Sequence, residues 1–180
     1  MNEILEVLVR LMAPILSFTA EEIWQYMKGE SRPLSVHVDL FRSANDAYED
    51  PELAGRWEEI ITLRKEVTKM LEVSRKEKTV GHPLDASVTL GVSPQLMEKL
   101  LPYQDQLRSI FIVSSVDIVD ITQTESGVES ETIPGLKVLV TPSSDPKCER
   151  CWIHDPTVGH DNNHPTVCKR CVKVLAEITT

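Results

Sequence analysis

Apolar residues recur at helical spacing over residues 2–12. Ile4, Leu5, Leu8, Leu11 and Met12 form a stripe interleaved with Glu3, Glu6 and Arg10. Pro14 ends or kinks this helix. A second helix is expected from Phe18-Thr19-Ala20-Glu21-Glu22-Ile23. Thr19 fits as its N-cap, Glu22 as the partner in a capping box, and Phe18 as a staple against Ile23. It carries Trp24, read as a core residue, and stops near Gly29. Both helices are too apolar to stand free, and they read as the last members of a helical bundle. Residues 35–41 alternate weakly and read as extended, and 45–51 as a loop.

Asp50-Pro51 opens the longest helix, with Asp50 as N-cap and Pro51 in the first turn. Leu53, Trp57, Ile60, Ile61, Val67, Met70 and Leu71 are its expected buried face. Arg64, Lys65, Lys69, Arg75, Lys76 and Lys78 crowd its C-terminal half. Taken singly, each cation suits a solvated face that complements the helix dipole. As a group they are the chain's best candidate for contact with backbone phosphates.

Gly81-His82-Pro83 breaks the helix, and residues 84–90 alternate with period two, as a half-buried strand does. Ser93 caps a short helix that runs to about Gln106. Residues 110–113, 116–121 and 136–140 read as further strands, and the polar stretch 122–134 as a mobile loop or hairpin tip. Residues 142–146 form a linker, and a helix over 169–178 closes the chain. The fold class is therefore α+β: the end of a helical bundle (1–48), a long helix with a small mixed sheet (49–141), and a metal ribbon (142–180).

The ribbon rests on the four cysteines of the chain, which fall as two Cys-x-x-Cys pairs: Cys148 and Cys151, then Cys168 and Cys171, with sixteen residues between the pairs. Each pair lets a tight turn aim two sulfurs at one point, and two such turns close a tetrahedral thiolate cage suited to one structural zinc. Iron in the same thiolates, or two disulfides, are the alternatives. His154, His160 and His164 lie between the pairs and read as solvated loop residues. A closed four-thiolate site has no position for water or substrate, so the metal would be architectural.

Charge narrows the function. The net charge of −9 argues against a general nucleic-acid binder, but residues 56–78 carry seven basic and five acidic groups, and 142–180 carry five of each. Contact with a polyanion would be confined to those two regions. No apolar run is long enough to span a membrane, and the N-terminus does not read as a signal peptide. Paired thiols suit a reducing cytoplasm.

Four stretches, in order, carry a family resemblance. They are Leu11-Met12-Ala13-Pro14-Ile15-Leu16-Ser17-Phe18-Thr19-Ala20-Glu21-Glu22-Ile23-Trp24; the helix from Trp57 through Leu63-Arg64-Lys65-Glu66-Val67 to Arg75, followed by Gly81-His82-Pro83-Leu84-Asp85-Ala86; Ile110-Phe111-Ile112-Val113-Ser114; and Lys147-Cys148-Glu149-Arg150-Cys151-Trp152 with Cys168-Lys169-Arg170-Cys171. Together they resemble the C-terminal end of bacterial isoleucyl-tRNA synthetases, class I aminoacyl-tRNA synthetases. The first two stretches also resemble valyl and leucyl relatives. The family's His-Ile-Gly-His and Lys-Met-Ser-Lys-Ser signatures are absent from the sequence. The chain is thus expected to be a piece of a longer protein that neither activates isoleucine nor charges tRNA alone.

The resemblance implies that this region helps hold the anticodon stem-loop of isoleucine tRNA, alongside the parent's catalytic and editing domains, in a cytoplasmic monomer. The cations on offer are Arg64, Lys65, Lys69, Arg75, Lys76 and Lys78, joined by Lys147, Arg150, Lys169 and Arg170 on the ribbon. Trp152 either stacks on a base or packs over the metal site. The rival readings are a structural clamp for the synthetase domains with little RNA contact, a DNA-glycosylase tail bearing a related finger, and a rubredoxin-like electron carrier. The glycosylase reading needs an N-terminal proline or comparable site that Met1-Asn2 does not supply.

Overall fold

The computed structural model describes residues 2–27 and 32–178. The chain divides into two compact units, Met1–Pro51 and Glu52–Thr180. In the first, α1 (Asn2–Met12) and α2 (Ser17–Tyr26) are joined by a turn at Pro14. Val9, Ala13, Ala20, Trp24 and Val36 form its core. Trp24 is held on several sides: its indole N–H donates to the Pro33 carbonyl at 2.9 Å, and the guanidinium carbons of Arg10 and Arg32 lie 4.9 and 5.3 Å from its ring centre. Arg10 is itself buried, and its Nε and Nη2 reach Asp39 at 2.8 and 2.7 Å. Ile4, Leu8, Leu11, Ile15 and Phe18 remain exposed, an apolar surface that two helices alone cannot bury.

Three sequence expectations change in this unit. Thr19 is not the cap of α2. The helix begins three residues earlier, Leu16 occupies the cap position without a side-chain hydrogen bond, and the Ser17 hydroxyl donates back to the Ala13 carbonyl at 3.0 Å. Phe18 is 94% exposed and staples nothing. The stretch 35–41 holds a single 3-10 turn, Val36–Val38, started by the Ser35 hydroxyl accepting from the His37 amide. The expected helix end at Gly29 lies outside the described residues, although α2 proper stops at Tyr26 with Met27 extended.

The second unit is built on α3 (Pro51–Lys76) and a mixed sheet of β1 (Ala86–Val92), β2 (Ser115–Asp120), β3 (Val128–Glu129) and β4 (Leu136–Pro142), in the order β2-β1-β4-β3. β1 runs parallel to β2 and antiparallel to β4. A parallel neighbour needs a crossover, and α4 (Pro94–Leu100) with α5 (Gln104–Phe111) supplies it. Ser93 caps α4, its hydroxyl accepting from the Leu96 amide. Val88, Leu90, Val92, Leu136 and Val138 pack with Ile60, Leu63, Val67 and Leu71 of α3 and Leu107 and Phe111 of α5.

The buried face of α3 is therefore Ile60, Leu63, Val67, Leu71 and Ser74. Leu53, Trp57 and Ile61 lie on a neighbouring stripe that stays exposed, and Trp57 is not a core residue. The stretch 122–134 is structured: it pairs β3 with β4, and Thr124 is buried against Gly91, where an added Cβ would lie 2.3 Å from the Thr124 hydroxyl. Residues 110–113 are not a strand. They are the end of α5, closed by Ile112 at φ 61°, with the Val113 amide reaching the Arg108 carbonyl at 3.0 Å. Phe111 and Val113 point into the core, which explains the apolar run. A β-branched residue in the left-handed region is strained. Ile112→Gly should raise stability by about 1 kcal/mol, read as a shift in urea midpoint at constant slope.

Candidate metal centre and nucleic-acid interface

Residues 142–146 lead into a turn that presents Cys148 and Cys151. The Cys148 amide donates to the Ile153 carbonyl at 2.9 Å, the Trp152 amide returns to the Cys148 carbonyl at 2.8 Å, and Trp152 takes a φ of 63° to close the loop. Cys168 sits just before α6 (Lys169–Ile178) and Cys171 lies in its first turn, so both sulfurs leave one face of the helix. The Cys168 amide donates to the Cys148 sulfur at 3.3 Å, and the Glu149 amide to the Thr166 carbonyl at 3.1 Å, which tie the two turns together.

The four sulfurs lie within 4.8 Å of one another. A tetrahedral zinc–thiolate site, with bonds of about 2.3 Å, requires sulfurs roughly 3.8 Å apart. The Cys151 and Cys168 sulfurs are 3.8 Å apart. The donor set and its spacing fit zinc, and the chain carries one structural zinc site. Cys148, Cys168 and Cys171 are buried and Cys151 partly so. Burial alone would raise the Cys148 thiol, but the amides of Cys151, Cys168 and Arg150 outweigh it and bring the pKa down to about 6. Burial, with neighbouring sulfurs adding to it, pushes Cys168 up to about 12.

Two of the ribbon cations face this cluster. Arg150 Nη1 lies 3.7 Å from the Cys171 sulfur. Arg170 is held yet more firmly protonated, first by its hydrogen bond to the Cys151 sulfur. Their charge offsets the excess negative charge of four thiolates around a divalent ion. Lys147 is engaged elsewhere, its Nζ 2.7 Å from Asp85 Oδ1. Lys169 is exposed at the start of α6, with its amide on the Thr157 hydroxyl at 2.9 Å. Trp152 is 62% exposed. His154 departs from the solvated loop residue expected of it. It is partly buried, with Nδ1 2.6 Å from the Asp145 carbonyl and Nε2 3.3 Å from Asp85 Oδ1, and neither it, His160 nor His164 joins the sulfur cluster.

On α3, Arg64, Lys65, Lys69, Arg75 and Lys76 are all exposed, Lys65, Lys69 and Lys76 on the side away from the buried residues and Arg64 and Arg75 along its flank. Lys69 lies 3.9 Å from Glu131, and Arg75 lies 3.6 Å from Glu72. Exposed pairs of this kind are worth little and yield readily to a phosphate. Lys78 has a structural task as well. At φ 60° it is the left-handed residue that ends the helix, with the Thr79 amide on the Ser74 carbonyl at 2.9 Å. No helix among the described residues is long and apolar enough to cross a membrane.

The family model for the anticodon-binding domain of tRNA ligase matches residues 1–90, and that for the zinc finger found in FPG and IleRS matches residues 145–174. The chain is 45% identical over 181 residues to an isoleucine–tRNA ligase of Syntrophotalea carbinolica, covering 98% of this chain and 19% of that protein. It is 44% identical over 172 residues to the isoleucine–tRNA ligase of Geobacter sulfurreducens (96% and 18%), and 41% identical over 179 residues to that of Moorella thermoacetica (98% and 19%). The chain thus spans about a fifth of the length of these relatives. A shared finger alone would leave the glycosylase reading open, but the match over residues 1–90 and the ligase relatives cover the rest of the chain, which therefore belongs to the anticodon-binding domain family of tRNA ligases.

Proposed function

We propose that this chain is the C-terminal, tRNA-binding part of an isoleucine–tRNA ligase, supporting recognition of the anticodon stem-loop while catalytic and editing domains elsewhere in the parent perform the ATP-dependent ligation. The observation that carries this reading is the 45% identity to an isoleucine–tRNA ligase over 98% of the chain. The organisation would be a bundle end over 1–48, an α+β junction over 49–141 and a ribbon over 142–180. Cys148, Cys151, Cys168 and Cys171 would hold the zinc, which when bound would tie the two cysteine turns together. The parent is a cytoplasmic monomer.

The chain's own residues do the rest. The exposed side of α3 offers Arg64, Lys65, Lys69, Arg75 and Lys76 to backbone phosphates, with Lys78, Lys147 and Lys169 as further cations and Arg150 and Arg170 shared with the thiolates. Trp152 gives an exposed ring on which an unstacked base can rest, a contact worth about 1–3 kcal/mol. A second reading, a structural clamp with little RNA contact, draws support from Lys69, Arg75 and Lys147 each already facing an acid.

Titration of the zinc-loaded chain with isoleucine tRNA, and with the same tRNA carrying a replaced anticodon loop, separates the two at two salt concentrations. Preference for the native loop with a steep salt slope is expected. Lys69→Glu with Arg75→Glu should flatten that slope and weaken binding about 10-fold or more, and Trp152→Ala should weaken it by roughly 5–100-fold without changing the slope. Equal, weak binding of both tRNAs would leave the clamp as the better account.

A further inference from the structure

The Gly81-His82-Pro83-Leu84-Asp85-Ala86 stretch has no task in the reading above, yet its polar groups converge on the ribbon. Residues Pro83–Asp85 form a 3-10 turn capped from both ends. His82 Nδ1 accepts from the Leu84 amide at 3.2 Å, and Asp85 Oδ2 accepts from the His82 amide at 3.2 Å. That reciprocal cap uses one carboxylate oxygen and fixes the direction of the other. Asp85 Oδ1 meets two ribbon residues, accepting from Lys147 Nζ at 2.7 Å and facing His154 Nε2 at 3.3 Å.

The main chain repeats the connection. The Asp85 carbonyl accepts from the Ser143 amide at 2.8 Å. The Ser114 hydroxyl donates to the Leu84 carbonyl and accepts from the His154 amide at 2.7 Å. Lys147 and His154 bridge each other across the base of the first cysteine turn, so both ends of that turn are held. The ribbon's apolar cluster, by contrast, is made of its own residues, Val158, Val167, Val172 and Leu175 beside the cysteines. Apolar packing is not directional, whereas these hydrogen bonds are. Arg108 of α5 adds a looser tie, its Nη1 3.8 Å from Asp155 Oδ2.

We propose that Asp85 is a positioning residue, its carboxylate fixing the pose of the zinc ribbon through Lys147 and His154 and thereby the direction in which Trp152 is presented to RNA. The consequence for RNA rests on the function proposed above. The pose itself does not. Asp85 makes no contact with RNA in this scheme. Its carboxyl is held below the usual carboxylate range, first by the Lys147 hydrogen bond and further by His154, so the anion that the two ribbon residues require is the form present at neutral pH.

The test uses the zinc-loaded chain and Asp85→Asn, Lys147→Met and the double variant. Bound zinc should stay at one per chain in all of them. In Asp85→Asn, hydrogen exchange at the His154 and Ser143 amides should accelerate about 10-fold or more, while the Trp152 amide inside the cysteine turn and the Val88 and Val138 amides of the sheet keep their rates. Lys147→Met should add little to that acceleration, because both substitutions break one connection. Affinity for the tRNA should fall at least about 3-fold in Asp85→Asn. Loss of a negative charge alone would strengthen binding to a polyanion, so the sign separates positioning from simple electrostatics. Unchanged exchange at His154, or full additivity with Lys147→Met, overturns the latch. Faster exchange with equal or tighter RNA binding overturns its positioning role. If the unsubstituted chain binds no tRNA, the proposed function fails, and the exchange rates and the double variant still decide whether Asp85 holds the ribbon.

Discussion

Cys148→Ser should abolish zinc binding and unfold the ribbon, leaving α3, α4, α5 and the sheet in place. Cys148 is fully buried, its sulfur accepts from the Cys168 amide, and its own amide and carbonyl close the first cysteine turn. Its loss removes a metal ligand and a junction between the two turns together. Apart from the cysteines, the ribbon cluster consists of a few aliphatic side chains, Val158, Val167, Val172 and Leu175. Burying those removes too little apolar surface from water to offset the conformational entropy of ordering the ribbon. Structural zinc in modules of this kind supplies folding free energy outright. Chelation of the wild-type chain should have the same effect. The expected result is loss of the α6 contribution to far-ultraviolet circular dichroism and free exchange of the Val172 amide, with the Val88 amide still protected. A protected Val172 amide in the zinc-free variant would mean that the ribbon folds on its own side chains.

The cysteine spacing made this part of the molecule legible before any coordinates, because the geometry of a Cys-x-x-Cys turn is local. The same holds for α1, α3, α6 and the strands at Ala86–Val92 and Leu136–Pro142, where period and capping agree over several residues. What failed were short or two-sided patterns. Residues 110–113 are as apolar as a buried strand, but Phe111 and Val113 reach the core from a helix end, and Ile112 turns the chain by taking a positive φ that no sequence rule would assign to isoleucine. On α3 two apolar stripes compete. Only tertiary packing decides that Leu63 is buried and Trp57 is not.

The interface was legible in kind and not in detail. Clustering of cations on α3 follows from helical spacing, and the structure leaves that face exposed. Lys147, Arg150 and Arg170 looked equivalent to those cations in the sequence. In the fold one meets an aspartate 62 positions away, one a thiol 21 positions away, and one the cysteine of the opposite turn. Such partners are set by the topology of the whole unit. The His154–Asp85 contact, 69 positions apart, was hidden for the same reason. The one local signal was the run from Gly81 to Ala86, conspicuous in the sequence and chemically idle until the ribbon is placed against it.

Trp24→Ala should unfold the first unit, whereas Trp57→Ala should barely register. Both tryptophans sit on helices among apolar neighbours, and the sequence treats them alike. Trp24 is 3% exposed at the centre of a core that otherwise contains Val9, Ala13, Ala20 and Val36, and Trp57 is 36% exposed. Truncating a buried tryptophan costs about 3–5 kcal/mol. A unit of some fifty residues has little stability to lose. The substitution also leaves the Pro33 carbonyl without its indole donor and takes the ring from beneath Arg10, whose charge was desolvated against it. Trp24→Phe separates these effects. It keeps most of the volume and a ring face for Arg10 but loses the N–H donor, and should cost about 1–2 kcal/mol. For Trp57→Ala the expected cost is below about 1 kcal/mol. Hydrogen exchange at Val9 and Ala20 resolves the first unit, and exchange at Val67 and Leu90 resolves the second. The decisive pattern is loss of protection at Val9 and Ala20 in Trp24→Ala with Val67 and Leu90 unchanged. Equal effects of the two alanine substitutions would mean that the core around Trp24 does not hold the first unit together.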